Sequence, residues 1–290
     1  MSLRHQPVVA LDIGGSSVKS ALLNASQPLA AEIRVQPLDS SASAGHILEF
    51  LSLTVRFHLE QSAAVQGVAL GFPGPFDYAK GVSLIEGVKK FDAIHGVNIG
   101  ESLRRLLGKP ELQLRFRNDA EAAIAGEAAY GAGRAYRRLL GITLGTGCGS
   151  AFIVDQQVVT TGAGVPPNGW LYPLYFRDQP ADEVFSTRGL LARFQEYRLD
   201  VTSVAAAVQS ANANNPSAIE SFRSFGDDLG AFLQPFVSAF RADGVLILGG
   251  IAHAYDLFAA QTRQRLSIPI LRGNLNERAA LLGAAALFWG

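Results

Sequence analysis

The chain has 290 residues, 48% of them hydrophobic and 17% charged, with a formal net charge of zero. That composition folds, with length for one large domain or two medium ones, and it leaves no basic footprint for nucleic acid or a membrane face. One cysteine, Cys148, excludes a disulfide scaffold or a multi-cysteine zinc site within one chain.

Residues 8–13, VVALDI, read as an apolar strand, and 18–23 resume the pattern after Gly14, Gly15 and Ser16. Together they predict a hairpin with a tight turn. The turn, DIGGSSVK, offers backbone N–H groups, hydroxyls and Lys19, which suits a phosphate. Asp12 suits magnesium, directly or through water. An ordinary hairpin fits the same residues as well. Residues 36–45 are polar connection, and 46–58 carry the spacing of an amphipathic helix. Residues 64–70 are a strand ending in GFPGPFD, a loop stiffened by glycine and proline. Residues 83–97 are mixed loop with Lys89, Lys90, Phe91 and Asp92. Residues 99–107 resemble a helix stopped by Gly108 and Pro110.

The stretch LQLRFRNDAEAAIAGEAAY, 112–130, organises the chain. It is an extended segment, a polar turn at Asn118 and Asp119, and an alanine-rich helix. A strand that delivers a carboxylate to a helix start holds a catalytic acid or base well, because free amides of the first turn support its charge.

Residues 138–144 are a strand running into GTGCGSAFIVDQQVV, a second hairpin with a glycine-dense turn at Gly145, Thr146 and Gly147. Each half therefore opens with the same device, an internal duplication of architecture. Cys148 reads as a passive small residue, since no histidine base is near it in sequence. Residues 161–180, TGAGVPPNGWLYPLYFRDQP, form an irregular aromatic loop, either a substrate wall or a packed connection. Helices follow at 187–198 and 201–211, then a turn, then a long helix at 218–240 that Pro235 is expected to kink. The apolar strand 245–248 delivers Gly249 and Gly250, which admit a base or ribose closely or simply turn the chain. Residues 267–271 are a strand, and 276–288 the last helix. Neither the P-loop nor the dinucleotide fingerprint is present. His5, His46, His58, His95 and His253 are scattered, so no metal-ligand cluster is expected. No apolar run is long enough to span a bilayer and no signal-peptide core is visible, so a cytoplasmic protein is expected.

Taken in order, these turns resemble those of the ROK family, bacterial sugar kinases and related repressors with an α/β, actin-like ATPase fold of the ribonuclease-H-like type. The residues that carry the resemblance are DIGGSSVK, GFPGPFD, RNDAEAAIAGE, LGTGCGSAFIVD, LILGGIA and LLGAAALF. It implies two domains flanking a cleft: a small one at 1–118, with 276–290 returning as its last helix, and a large one at 119–275. It implies ATP and magnesium, with the terminal phosphates on Asp12, Gly14, Gly15, Ser16 and Lys19. Gly145, Thr146 and Gly147 would cradle phosphate from the other domain, and Gly249 and Gly250 would border the adenosine. Asp119 matches the catalytic aspartate, which takes the proton of a sugar hydroxyl as that oxygen attacks the γ-phosphorus. Asn118, Gly74 and Glu183 would join it in holding a hexose or amino sugar.

The sequence departs from the family after the second hairpin. There the family places a Gly-Glu-(Ile/Leu)-Gly-His segment that grips the sugar, and often a cysteine-rich zinc loop. Here Gly169 stands at the glutamate and Tyr172 at the histidine, and no structural zinc is expected. Asn168, Tyr172, Tyr175, Arg177 and Asp178 are the local candidates to replace the missing contacts. The alternatives are a non-catalytic sugar or nucleotide binder and a polyphosphate-dependent kinase. The repressor branch adds an N-terminal DNA-binding segment, so a chain opening almost at its first strand reads as the kinase branch, without a nucleic-acid partner. A homodimer accords with the resemblance.

Overall fold

The computed structural model describes residues 6–62 and 64–289. His5 and the outermost residues of the two domains read from the sequence, 1 and 290, lie outside them. The chain divides into two compact units, Met1–Gly126 with Leu275–Gly290, and Glu127–Asn274.

The first unit opens with β1 (Val8–Ile13) and β2 (Ser17–Leu23), an antiparallel hairpin. β3 (Arg34–Pro37) extends it at the edge. Residues 36 and 37 are expected as connection; a four-residue strand with no buried side chain, Arg-Val-Gln-Pro, carries little strand signal. The helix α1 (Ala44–Leu59) starts on Ser43, whose hydroxyl accepts the His46 N–H at 3.3 Å. Then come β4 (Gly67–Phe72), the short pair β5 (Phe76–Asp77) and β6 (Val82–Ser83), and α2 (Ile99–Leu107), capped by Asn98. β7 (Leu114–Asn118) leads directly into α3 (Asp119–Tyr130). The sheet order is β3-β2-β1-β4-β7, with β1, β4 and β7 parallel.

The second unit repeats this plan. β8 (Arg138–Leu144) and β9 (Cys148–Val154) form the hairpin, and β10 (Gln157–Val159) the edge. The 161–180 loop contains a two-residue pair, β11 (Tyr175–Phe176) and β12 (Gln179–Pro180), and runs into α4 (Ala181–Val184). α5 (Thr187–Glu196), α6 (Val204–Asn212) and α7 (Pro216–Phe240) follow, and α7 continues through Pro235. β13 (Gly244–Leu248), α8 (Tyr255–Leu266) and β14 (Ile270–Arg272) complete it. The sheet order is β10-β9-β8-β13-β14, with β8, β13 and β14 parallel. Strand order and polarity therefore match the first sheet.

α9 (Arg278–Trp289) returns to the first unit and packs on β1 and β4. β1 and β4 of that sheet are buried on both faces, so they read as continuous apolar runs. Val9, Leu11 and Ile13 join Ile47, Leu51 and Val55 of α1 in one core, while the alternate residues face α9. Gly67 makes room there: a Cβ on it would lie 2.5 Å from the Phe288 ring. α3 and α9 cross at two glycines. A Cβ on Gly126 would overlap the Ala279 carbonyl, and one on Gly283 the Ala122 carbonyl. This contact ties most of α3 to the first unit, so the division falls within the helix rather than at 118/119, where the sequence reading drew it. The second core is built from phenylalanines, among them Phe152, Phe185, Phe194, Phe222, Phe225 and Phe258, all fully buried. No helix of the described residues is long and apolar enough to cross a membrane.

Candidate active site

In the first unit, three parallel strands end side by side. The register aligns Asp12 of β1 with Gly71 of β4, and Gly71 with Arg117 of β7. Open α/β sheets bind ligands at such carboxyl ends. The first glycine turn rises from this edge. Gly14 donates to the Ser17 carbonyl at 2.9 Å, Leu38 N–H to the Ser16 carbonyl at 3.0 Å, and the Ser40 hydroxyl to the Gly15 carbonyl at 2.5 Å. Asp12 and Lys19 are register partners across the hairpin, and their charged groups approach to 3.5 Å. Burial raises the Asp12 carboxyl, Lys19 opposes the rise, and Glu277 adds to it. Asp12, Gly14, Gly15, Ser16 and Lys19 are thus brought together. Lys90 joins them: a Cβ on Gly15 would lie 2.8 Å from its Cδ.

Two residues past Arg117, the β7 strand becomes α3. Asn118 caps the helix, its Oδ1 accepting the Glu121 N–H at 3.2 Å. Asp119 is the first helical residue, and its Oδ1 accepts the Ala120 N–H at 2.9 Å. Burial pushes the Asp119 carboxyl up to about 6; the Ala120 amide opposes this, and the negative charge of Asp12 reinforces it. Asn118 Nδ2 donates to the Tyr78 hydroxyl at 3.0 Å, which itself donates to the Phe72 carbonyl at 3.1 Å. Gly74 adjoins this pair, since a Cβ on it would lie 3.1 Å from the Tyr78 oxygen. A ledge of Gly74, Tyr78 and Asn118 therefore flanks Asp119. Tyr78 was not read from the sequence. It lies 40 residues from Asn118, and only the pairing of β4 with β7 joins them.

In the second unit, the β8–β9 turn closes with Gly145 N–H on the Gly147 carbonyl at 3.0 Å. Thr187 donates to the Gly145 carbonyl through its N–H at 2.7 Å and its hydroxyl at 2.9 Å. Asp182 Oδ1 accepts the Cys148 N–H at 2.8 Å. Arg188 reaches Asp182 at 2.6 Å and both oxygens of Glu183, at 2.7 and 2.8 Å. The structure therefore places Glu183 in an exposed ion pair beside the glycine turn. Gly249 has φ 89°, and a Cβ on it would overlap the Leu144 carbonyl, so only glycine fits. Gly250 is open on its Cβ side, and its N lies 3.9 Å from the Cβ position of Gly145. Gly145, Gly249 and Gly250 are thus neighbours in the second unit. Cys148 is buried, and burial pushes its thiol up to about 12, which leaves it inert.

Among the described residues, no group of three or more His, Cys, Asp or Glu could hold a metal alone. Magnesium does not need one, because it keeps several waters and takes one or two carboxylates plus substrate phosphates. Asp12, a desolvated carboxylate beside a small-residue turn, fits that pattern.

The altered segment gives little to grip a sugar in the family's manner. Gly169 has no side chain, and its carbonyl accepts the Ser150 hydroxyl at 2.8 Å. Tyr172 is exposed, with its ring 5.8 Å from that of Trp170. Arg177 is engaged by Asp228 at 2.6 Å.

Two matching five-stranded sheets, each led by a glycine-turn hairpin, define a protein of the actin-like ATPase fold. The chain belongs to the ROK family, whose model matches residues 8–289. It is 25% identical to an N-acetylgalactosamine kinase of Shewanella sp. over 267 residues, 86% of this chain and 83% of the relative. It is 22% identical to the crystal structure of a ROK hexokinase from Thermus thermophilus, with a TM-score of 0.80 over 97% of each chain. A ROK glucokinase from Streptomyces griseus, solved with glucose and AMPPNP, superposes with a TM-score of 0.74 at 21% identity, over 97% of this chain and 98% of that one.

Proposed function

We propose that the protein is an ATP-dependent sugar kinase that transfers the γ-phosphate to a hydroxyl of a hexose or amino sugar. One observation carries the reading: a carboxylate with its pKa raised to about 6, Asp119, stands beside the polar ledge of Gly74, Tyr78 and Asn118, in the unit that holds the first glycine turn. A base near the working pH is an efficient proton acceptor. Asp119 takes the proton of the attacking hydroxyl, and Asn118 and Gly74 orient the sugar through its neighbouring hydroxyls. Gly14, Gly15, Ser16 and Lys19 bind the terminal phosphates of the donor, and Asp12 would hold magnesium, directly or through water. Magnesium supplies charge neutralisation to the phosphates. Gly145, Thr146 and Gly147 bind phosphate from the second unit, while Gly249 and Gly250 admit the nucleoside. The relatives' sugars, N-acetylgalactosamine and glucose, support testing amino sugars beside hexoses.

A second reading, sugar binding without turnover, has its own observation. Gly169 has no side chain at the position of the family's glutamate, and Glu183 is engaged by Arg188. A phosphate-transfer assay with magnesium, run with ATP and then polyphosphate over a hexose and N-acetylhexosamine panel, separates the readings. Turnover with ATP supports the kinase. Calorimetric sugar binding without turnover on either donor contradicts it. Turnover confined to polyphosphate replaces ATP as the donor.

A further inference from the structure

We infer that Lys90 is a phosphate-binding residue of the first glycine turn, where the kinase reading puts the terminal phosphates of the donor. Its assignment to the transferred phosphate rests on the kinase reading; its assignment to a polyphosphate ligand rests on the turn alone. The Lys90 side chain lies over the turn, so that a Cβ on Gly15 would fall 2.8 Å from its Cδ and 3.2 Å from its Nζ. The backbone that carries it is tied to that turn. Phe91 N–H donates to the Ser40 carbonyl at 2.7 Å, and the Ser40 hydroxyl donates to the Gly15 carbonyl at 2.5 Å. The Phe91 ring is 2% exposed and packs 5.5 Å from Phe72. Ahead of it, the Asp92 carboxylate accepts Val88 N–H at 3.2 Å and Lys89 N–H at 3.1 Å.

Charge gives the reason for a cation here. The turn's other ammonium, Lys19, is engaged by Asp12. Among the described residues, Lys90 makes no ion pair within 4.0 Å. An exposed ammonium on a backbone fixed against the glycine turn, with no ion pair of its own, suits a phosphate held at that turn.

The test is calorimetry with magnesium, using AMPPNP, ADP and inorganic tripolyphosphate as probes, on wild type, Lys90→Met, Lys90→Arg and Lys89→Met. Lys89→Met removes the same charge one residue away and controls for general electrostatics. Lys90→Met is expected to weaken AMPPNP and tripolyphosphate by about tenfold or more, the range of a charge-assisted hydrogen bond. ADP should lose less, Lys90→Arg should recover part of the loss, and Lys89→Met should stay within about twofold. In the transfer assay, Lys90→Met should raise KM for ATP and leave KM for the sugar unchanged. Equal AMPPNP affinity in Lys90→Met and wild type overturns the inference, as does an equal loss in Lys89→Met. Wild type that binds neither AMPPNP nor tripolyphosphate overturns it too. Lys90-dependent binding in a protein that phosphorylates no sugar upholds it while the kinase reading fails. Turnover unaffected by Lys90→Met does the reverse.

Discussion

Asp119 strains the fold at neutral pH. Its carboxyl titrates near 6 in the native state against 3.8 for the free side chain, because burial disfavours the charge. The protonated acid is therefore the form the fold prefers. Below pH about 4 both states are protonated and nothing is lost; between 4 and 6 stability falls, and above 6 the loss is complete, on the order of 3 kcal/mol. Asp119→Asn removes the charge and should be more stable than wild type at pH 8 in ligand-free protein. Urea midpoints should show this advantage shrinking toward zero as the pH drops below 4. A gap independent of pH would contradict the assignment. Asp119 and Asn118 were legible because a strand, a polar pair and an alanine-rich run form a local signal. Tyr78, Lys90 and the Glu183–Arg188 pair were not, because each acts through a contact that only tertiary structure supplies.

At the scale of elements, close packing decides what a substitution costs. Gly283→Ala should gain about 1 kcal/mol of helix propensity within α9. Against that, the new Cβ meets the Ala122 carbonyl, backbone that cannot swing aside. Overpacking of that kind costs about 1–3 kcal/mol or more, so a net loss is expected as a lower urea midpoint. A neutral or stabilising Gly283→Ala would show that α3 and α9 do not cross this closely. The β11–β12 pair shows a different anchor. Asp228 on α7 is buried and binds Arg177 at 2.6 Å and Arg193 at 2.7 Å. Arg193 is itself largely buried, whereas Arg177 is exposed. Asp228→Asn should therefore cost on the order of 3 kcal/mol by stranding Arg193. Arg177→Gln should cost under about 1 kcal/mol, since an exposed partner contributes little. Equal effects on the urea midpoint would contradict this division. The hairpins were legible from apolar alternation broken by glycine. β3 was not, because an edge strand of Arg, Val, Gln and Pro lacks a buried face. Within 161–180 the structured parts are two two-residue strands and one 3-10 turn, Pro167–Gly169, too short for any periodicity.

For the whole molecule, the legible part was the duplicated plan. The two sheets share strand order and polarity, and the resemblance-bearing stretches DIGGSSVK, GFPGPFD, RNDAEAAIAGE, LGTGCGSAFIVD and LILGGIA all lie at strand ends. There the backbone turns sharply, and at Gly249, with φ 89° and the Leu144 carbonyl against its Cβ position, only glycine fits. The acceptor was not legible, because the pattern breaks at Gly169 and Tyr172, where the resemblance would have put sugar-binding side chains. Loss of sugar-gripping hydrogen bonds weakens discrimination more than it weakens chemistry. Broad acceptance across the sugar panel is thus expected. The most direct measurement is the rate of phosphate transfer from ATP to the best sugar of that panel, compared between wild type and Asp119→Asn. The account predicts that wild type turns over and that the variant is slower by on the order of 10²–10⁴-fold, with both proteins folded. Equal rates in the two would remove Asp119 from the chemistry and contradict the account.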